Sequence, residues 1–261
     1  MTAPGTAERF AGERLFARYA HAPNDLGYCG PAQSRILLEC GAGAGDPAKV
    51  REVARGFSGA WPYLRILARL AGIEDPLDPR VVDAYWLGGG VGDAVDARVF
   101  GEALLADIGR QAGHYWRHLT PEIIGEAAPN HCFHVFGVYP WSRLLGERHY
   151  EQPLRVLDKC RISWGTVLEV LPGDRVLVST RRLAWDGHRL SLSEPSAEES
   201  ALAADGHVFV SGVRRGERVA LHWDRVADRL TEDQAERLRR TTLAQLEATN
   251  RRLDAGARDH R

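Results

Sequence analysis

The stretch DKCRISWGTVLEVLPGDRVLV, residues 158–178, decides how this chain divides. A cysteine, Cys160, is followed at once by a short apolar strand, a glycine, a second strand and the turn residues Pro172-Gly173-Asp174. Nothing before it has that texture, so the chain reads as starting again near its middle.

Working outward toward the C-terminus, ISWGTVLEVL, DRVLVSTRRLAW, HRLSLSEP, HVFVSGV and ERVALHWDRVADRL are short and rich in β-branched residues. They are punctuated by PGD, DG and RRG, the chemistry of tight turns. Five or so antiparallel strands at this spacing predict a small barrel. TEDQAERLRRTTLAQLEATNRRL then predicts one amphipathic helix with Thr231 as N-cap and acidic residues in its first turn, its RRTTLAQLEATNRR stripe packing across the barrel.

Toward the N-terminus, six runs place apolar residues three and four apart: 8–20, 32–40, 47–57, 62–72, 79–89 and 97–119. That spacing lays one apolar stripe along a helix, and Pro31, Pro47, Pro62, Pro79 and Pro121 fall at or near helix starts. The expected fold class is α+β: an all-helical N-terminal domain (1–146), a linker at 146–153, and a small OB-like β-barrel with a C-terminal helix (153–255).

Composition excludes more than it identifies. Apolar residues at 44%, charged residues at 26% and a formal net charge of −1 supply no field for gripping nucleic acid or an acidic membrane. The N-terminus lacks the basic start and apolar run of a signal peptide, and no stretch is apolar for long enough to cross a bilayer, so a cytoplasmic protein is expected. Cys29, Cys40, Cys132 and Cys160 are dispersed with no CxxC among them, as free thiols or ligands in a reducing compartment would be.

The second half resembles a known family. CRISWGTVLEV (160–170), the turn-rich strands after it, and GERVALHWDRVADRLTEDQAERL (216–238) follow the layout of hydrogenase assembly chaperones of the HypC/HupF type over about residues 155–250. In that family a cysteine precedes a strand and glycine, and a Val-x-Val-His strand leads to a helix opening with acidic residues. The resemblance implies an OB-like barrel that holds an iron centre, together with a maturation scaffold protein, and delivers it to the large subunit of a nickel–iron hydrogenase. The family cysteine falls on Cys160 and the histidine on His222. A soft thiolate suits such iron. The chain departs in two ways: a whole domain precedes Cys160, and Trp164 stands where proline is usual. From the residues alone, Cys160 is a ligand displayed outward beside His222 or a small apolar residue of the first strand.

In the helical half, NDLGYCGPAQS (24–34) places Cys29 just before Gly30-Pro31 and a helix, where a helix dipole favours thiolate. PNHCFHVFGVYPW (129–141) crowds His131, Cys132 and His134 together, with Asn130 beside them. If extended, His134 and Cys132 share a face; if helical, His131 and His134 do. Three readings follow. Cys29 and His134 form a nucleophilic pair for acyl or amide chemistry, the ring oriented by Asn130 or Asp25. Alternatively, Cys29, His131, Cys132 and His134 bind zinc or iron. In the third, they are core and loop residues of a helical adaptor. LGGGVGD (87–93) follows a helical run and has no Lys-Ser/Thr, so it is a turn rather than a phosphate loop. His114 and His118 stand four apart without the Glu of HExxH, and read as a solvated edge. The reading that unites most of these features is an accessory or maturation factor for a metalloenzyme, with Cys160 and His222 contacting iron or the client.

Overall fold

The computed structural model describes residues 10–111, 119–146 and 149–259. The pair His114 and His118 lies outside them. Helices α1 (Ala11–Asp25), α2 (Ser34–Gly41), α3 (Pro47–Arg55), α4 (Ala60–Leu70), α5 (Pro79–Leu87) and α6 (Ala97–Gln111) form the first half. Two starts follow directly from the sequence: Asp46 and Asp78 each accept the N–H two residues on at 2.9 Å, with proline at the first helical position. A short turn of helix α7 (His131–Phe133) continues as a π-helix over His134–Val138. Helix α8 (Glu151–Cys160) occupies most of what the sequence presents as linker and strand leader.

The strands are β1 (Ser163–Leu171), β2 (Arg175–Thr180), β3 (Leu183–Trp185), β4 (Leu190–Leu192), β5 (Ser196–Ala201), β6 (Ala203–Ala204), β7 (His207–Val208), β8 (Arg218–His222) and β9 (Arg225–Arg229). Hydrogen-bonded order runs β1-β2-β5-β9-β8, and β8 pairs back on β1. Counting only these five, the order is first-second-third-fifth-fourth with a parallel third–fifth contact, the arrangement of an OB-type barrel. That contact is thin, a single partner pair, Ala201 with Arg225. β3–β4 and β6–β7 are separate hairpins.

The two halves share a core. Val167, Val176, Val178, Val219, Leu221 and Val226 fill the barrel, while Ala220, Ala227, Ile162 and Leu230 belong to the cluster built by Phe16, Leu64, Tyr85 and their helical neighbours. Strand alternation explains it: Val219 and Leu221 face the barrel interior, and Ala220 and His222 face the helices. Small alanines there let α1 lie close against β8 and β9, and Arg18–Asp228 and Arg225–Asp25, both at 2.8 Å, tie the layers together.

The final helix α9 (Glu232–Asp259) opens with the expected cap, since Thr231 Oγ1 accepts from Gln234 N and Gln234 Oε1 accepts from Thr231 N. Its stripe does not lie across the barrel as expected. It runs along the helical half, where Arg237 pairs with Asp83 at 2.9 Å and Thr242 meets Cys132 at 3.4 Å, and it grips β4 through Asn250 and Leu190. The helical half offered its apolar face, while the barrel's apolar residues are turned inward. Among the described residues no helix is long and apolar enough to cross a membrane.

Candidate metal centre

Where α1, α7, the end of α8 and the end of β8 converge, a cavity of about 80 Å³ lies in the seam between the halves. Cys29, His131, His134, Cys160 and His222 all line it. The donor atoms of His131, Cys160 and His222 lie within 4.8 Å of one another, and all three residues are buried. Ligand atoms around a tetrahedral ion with bonds of about 2.0–2.3 Å stand about 3.3–3.8 Å apart, so small side-chain rotations close this trio on a metal.

Each donor is placed by its element. His131 heads α7, whose N-cap Asn130 accepts from Phe133 N at 3.2 Å. Cys160 is the last residue of α8; the chain turns at the buried Arg161, which is bound to Asp158 at 2.9 Å, and enters β1. His222 ends β8 on its helix-facing side, beside a bulge that gives β9 the extra residue Ala227. Its Nδ1 donates to the Tyr19 carbonyl oxygen at 2.7 Å. That carbonyl is available for a local reason: the residue four positions on is Pro23, inside α1, which has no N–H to donate. The hydrogen bond fixes the His222 tautomer and leaves Nε2 as a bare lone pair, the usual preparation of a metal-ligating imidazole. Nε2 of His222 and Nδ1 of His131 have no hydrogen-bond partner among the described residues.

Burial sets the charge states. It pulls His222 down to about 4 against the opposing backbone of Tyr19 and Cys160, and His134 down to about 3. It holds His131 well below the usual imidazole range, helped by the neighbouring His222 and His134, and drives the Cys160 thiol far up. Apart from a metal, the site holds neutral imidazoles and a neutral thiol, and a cation binding there has to displace the thiol proton.

Several expectations require correction. Cys160 is neither on the first strand nor displayed outward; α8 carries it inward to the cavity, still beside His222. Cys132 points away, its sulfur 3.4 Å from Thr242 Oγ1 of α9, and is no part of the cluster. The 129–141 segment is helical, which puts His131 and His134 on the shared side with ring centroids 6.0 Å apart, yet His134 stays outside the trio. Its Nε2 abuts Gly59, where a Cβ would come within 2.7 Å, and its ring meets Tyr139 and Tyr63. Cys29 is five residues before the start of α2, so no helix dipole acts on it, and burial pushes its thiol up to about 12. Asp25 pairs with Arg225 and Asn130 caps α7, so neither orients His134. A high thiol and a low imidazole are the reverse of an activated pair.

Two residues unmarked by the sequence complete the site. Trp223 and Asp224 form the two-residue β8–β9 turn with φ of 51° and 59°, a left-handed conformation seldom adopted by a bulky residue. Tyr28 stacks on Trp223 at 4.1 Å, and both line the cavity. The legible signal was a two-residue WD turn between alternating strands, where Asn-Gly is the ordinary choice.

A protein-family match spans residues 8–256, both halves together: the chain belongs to the family described as "Family of unknown function (DUF6390)". No curated protein and no solved structure matches it.

Proposed function

We propose that this protein is a metal-binding accessory factor that holds a soft divalent ion, iron or zinc, through His131, Cys160 and His222. The observation that carries the reading is the convergence of three buried donors from distant parts of the chain, two of them with a ring nitrogen that has no hydrogen-bond partner among the described residues. Unpartnered buried polar atoms cost about 1–3 kcal/mol each, and a bound cation removes that cost. Imidazole with thiolate favours iron or zinc over calcium or magnesium.

The resemblance of residues 155–250 to the hydrogenase assembly chaperones supports a narrower version, in which the ion is iron in transit to a nickel–iron hydrogenase large subunit. Burial of Cys160 alters how that works: the thiol is not a surface hook for a client. Elemental analysis of anaerobically purified protein tests the general reading, with one iron or zinc per chain expected and lost in His131→Ala, Cys160→Ser and His222→Ala. Protein that carries no metal and takes up none on titration overturns it. Infrared bands of cyanide and carbonyl on bound iron test the narrower version.

A further inference from the structure

Three ligands leave a four-coordinate ion one short, and the seam contains a fourth candidate. Cys29 lies on the loop between α1 and α2, whose other residues are largely exposed: Leu26 is 48% and Tyr28 44% exposed. Cys29 itself is half-buried, yet its thiol lines the cavity, hydrogen-bonded with Tyr139, outside the trio's 4.8 Å cluster but near enough to Cys160 to oppose that thiol's ionisation. The loop is shaped for this. Asn24 Nδ2 donates to the carbonyls of Cys29 at 2.7 Å and Pro31 at 2.6 Å, and Gly27 and Gly30 take the left-handed backbone at φ of 75° and 77°. At Gly30 a Cβ would also meet the Phe57 ring at 2.5 Å.

Charge balance points the same way. A divalent ion with two neutral imidazoles and one thiolate retains a net positive charge, and the described residues lining the cavity include no carboxylate against it. A second thiolate makes the buried centre neutral.

Resting on the metal site proposed above, we infer that Cys29 is the fourth ligand and that its loop is the door: Cys29 closes the coordination sphere while Tyr28, stacked on Trp223, closes the mouth. Binding then breaks two S–H bonds and forms two metal–sulfur bonds, releasing both protons to solvent. Withdrawal of the loop opens one coordination position, through which the ion is exchanged.

Cobalt(II) titration of the full-length, metal-free chain tests this, because thiolate-to-cobalt charge-transfer absorption counts sulfur ligands and a pH-stat counts protons. The expected wild-type result is tetrahedral cobalt with two thiolates and about two protons released, falling by about half on both counts in Cys29→Ser and in Cys160→Ser. Tyr28→Ala should keep the two-thiolate spectrum yet lose cobalt to a chelator about two- to tenfold faster, the factor an aromatic pair of this kind is worth. A wild-type spectrum with one thiolate overturns the inference without any variant, as does a Cys29→Ser protein identical to wild type; in both cases the three-ligand site stands. Release that Tyr28→Ala does not alter overturns the door. A wild-type chain that takes up no cobalt sinks the metal site itself.

Discussion

Leu221 and His222 are neighbours on one strand, both buried, and they face two quite different interiors. The barrel interior on the Leu221 side is built mainly of valines, and the buried Thr180 hydroxyl on the face of Val176 and Val178 donates to the Trp164 carbonyl oxygen. The seam on the His222 side gathers His131, His134, Cys29 and Cys160 with Tyr85 and Trp86, and several of its nitrogens go unpaired. Equal burial therefore means different things. One interior is explained mainly by the hydrophobic effect, and the other carries a desolvation cost that a bound cation could offset.

Five substitutions break or sharpen that contrast. The largest effect is expected beneath the seam, where Asp158 holds the fully buried Arg161 and caps Leu183 N at 2.8 Å. Asp158→Ala removes the counter-charge of that guanidinium, leaving it the Arg181 carbonyl oxygen, and should cost about 3–5 kcal/mol in urea unfolding. A cost under 1 kcal/mol would show that the Arg181 carbonyl oxygen and water suffice for Arg161. Next comes the pair on β8: Leu221→Ala should lose about 2–4 kcal/mol and keep its metal stoichiometry, whereas His222→Ala should lose the metal. If both variants kept or both lost the ion, the two faces of β8 would not be functionally distinct.

A smaller effect belongs to His21, which burial and then Arg225 pull down to about 4. Its folded value lies below its unfolded value of about 6.5, so between those limits the unfolded chain binds the proton that the folded chain refuses. Stability is retained above about pH 6.5 and is lost as pH falls toward 4, by on the order of 1 kcal/mol per pH unit. His21→Gln should flatten that part of the stability profile measured by thermal melts, and an unchanged slope would place the proton uptake elsewhere. Smallest of all, Thr231→Ala removes the cap of α9 and should cost about 1 kcal/mol with no effect on metal content.

The same contrast governs what could be read in advance. Helices α3 and α5 were announced by Asp-Pro starts, α9 by Thr231, and β1, β2 and β8 by alternating β-branched residues, because each signal is local. Strand β5, SAEESA, was invisible: it contributes polar side chains to an exposed face and only Ser200 is buried, so no apolar period marks it. Conversely, HVFVSGV reads as a barrel strand yet supplies only the two residues of β7, while Phe209 and Val210 plug the barrel from a loop. Helix α8 had a signal in the spacing of Leu154, Leu157 and Cys160, masked by the neighbouring linker residues. Every residue of the candidate centre is nameable from sequence, but their grouping is not. His131, Cys160 and His222 meet only because two halves dock, and spacing along the chain carries no record of that docking; Cys132, the nearest in sequence, faces elsewhere.

Proline in the last turns of α1 has a consequence beyond its own helix. By withholding one amide, Pro23 lends the Tyr19 oxygen to an imidazole about 200 residues away in the chain. Which ring nitrogen of His222 carries the proton is thus decided by backbone chemistry, and the rotational freedom of that ring, which any ligand would otherwise have to remove, is given up during folding.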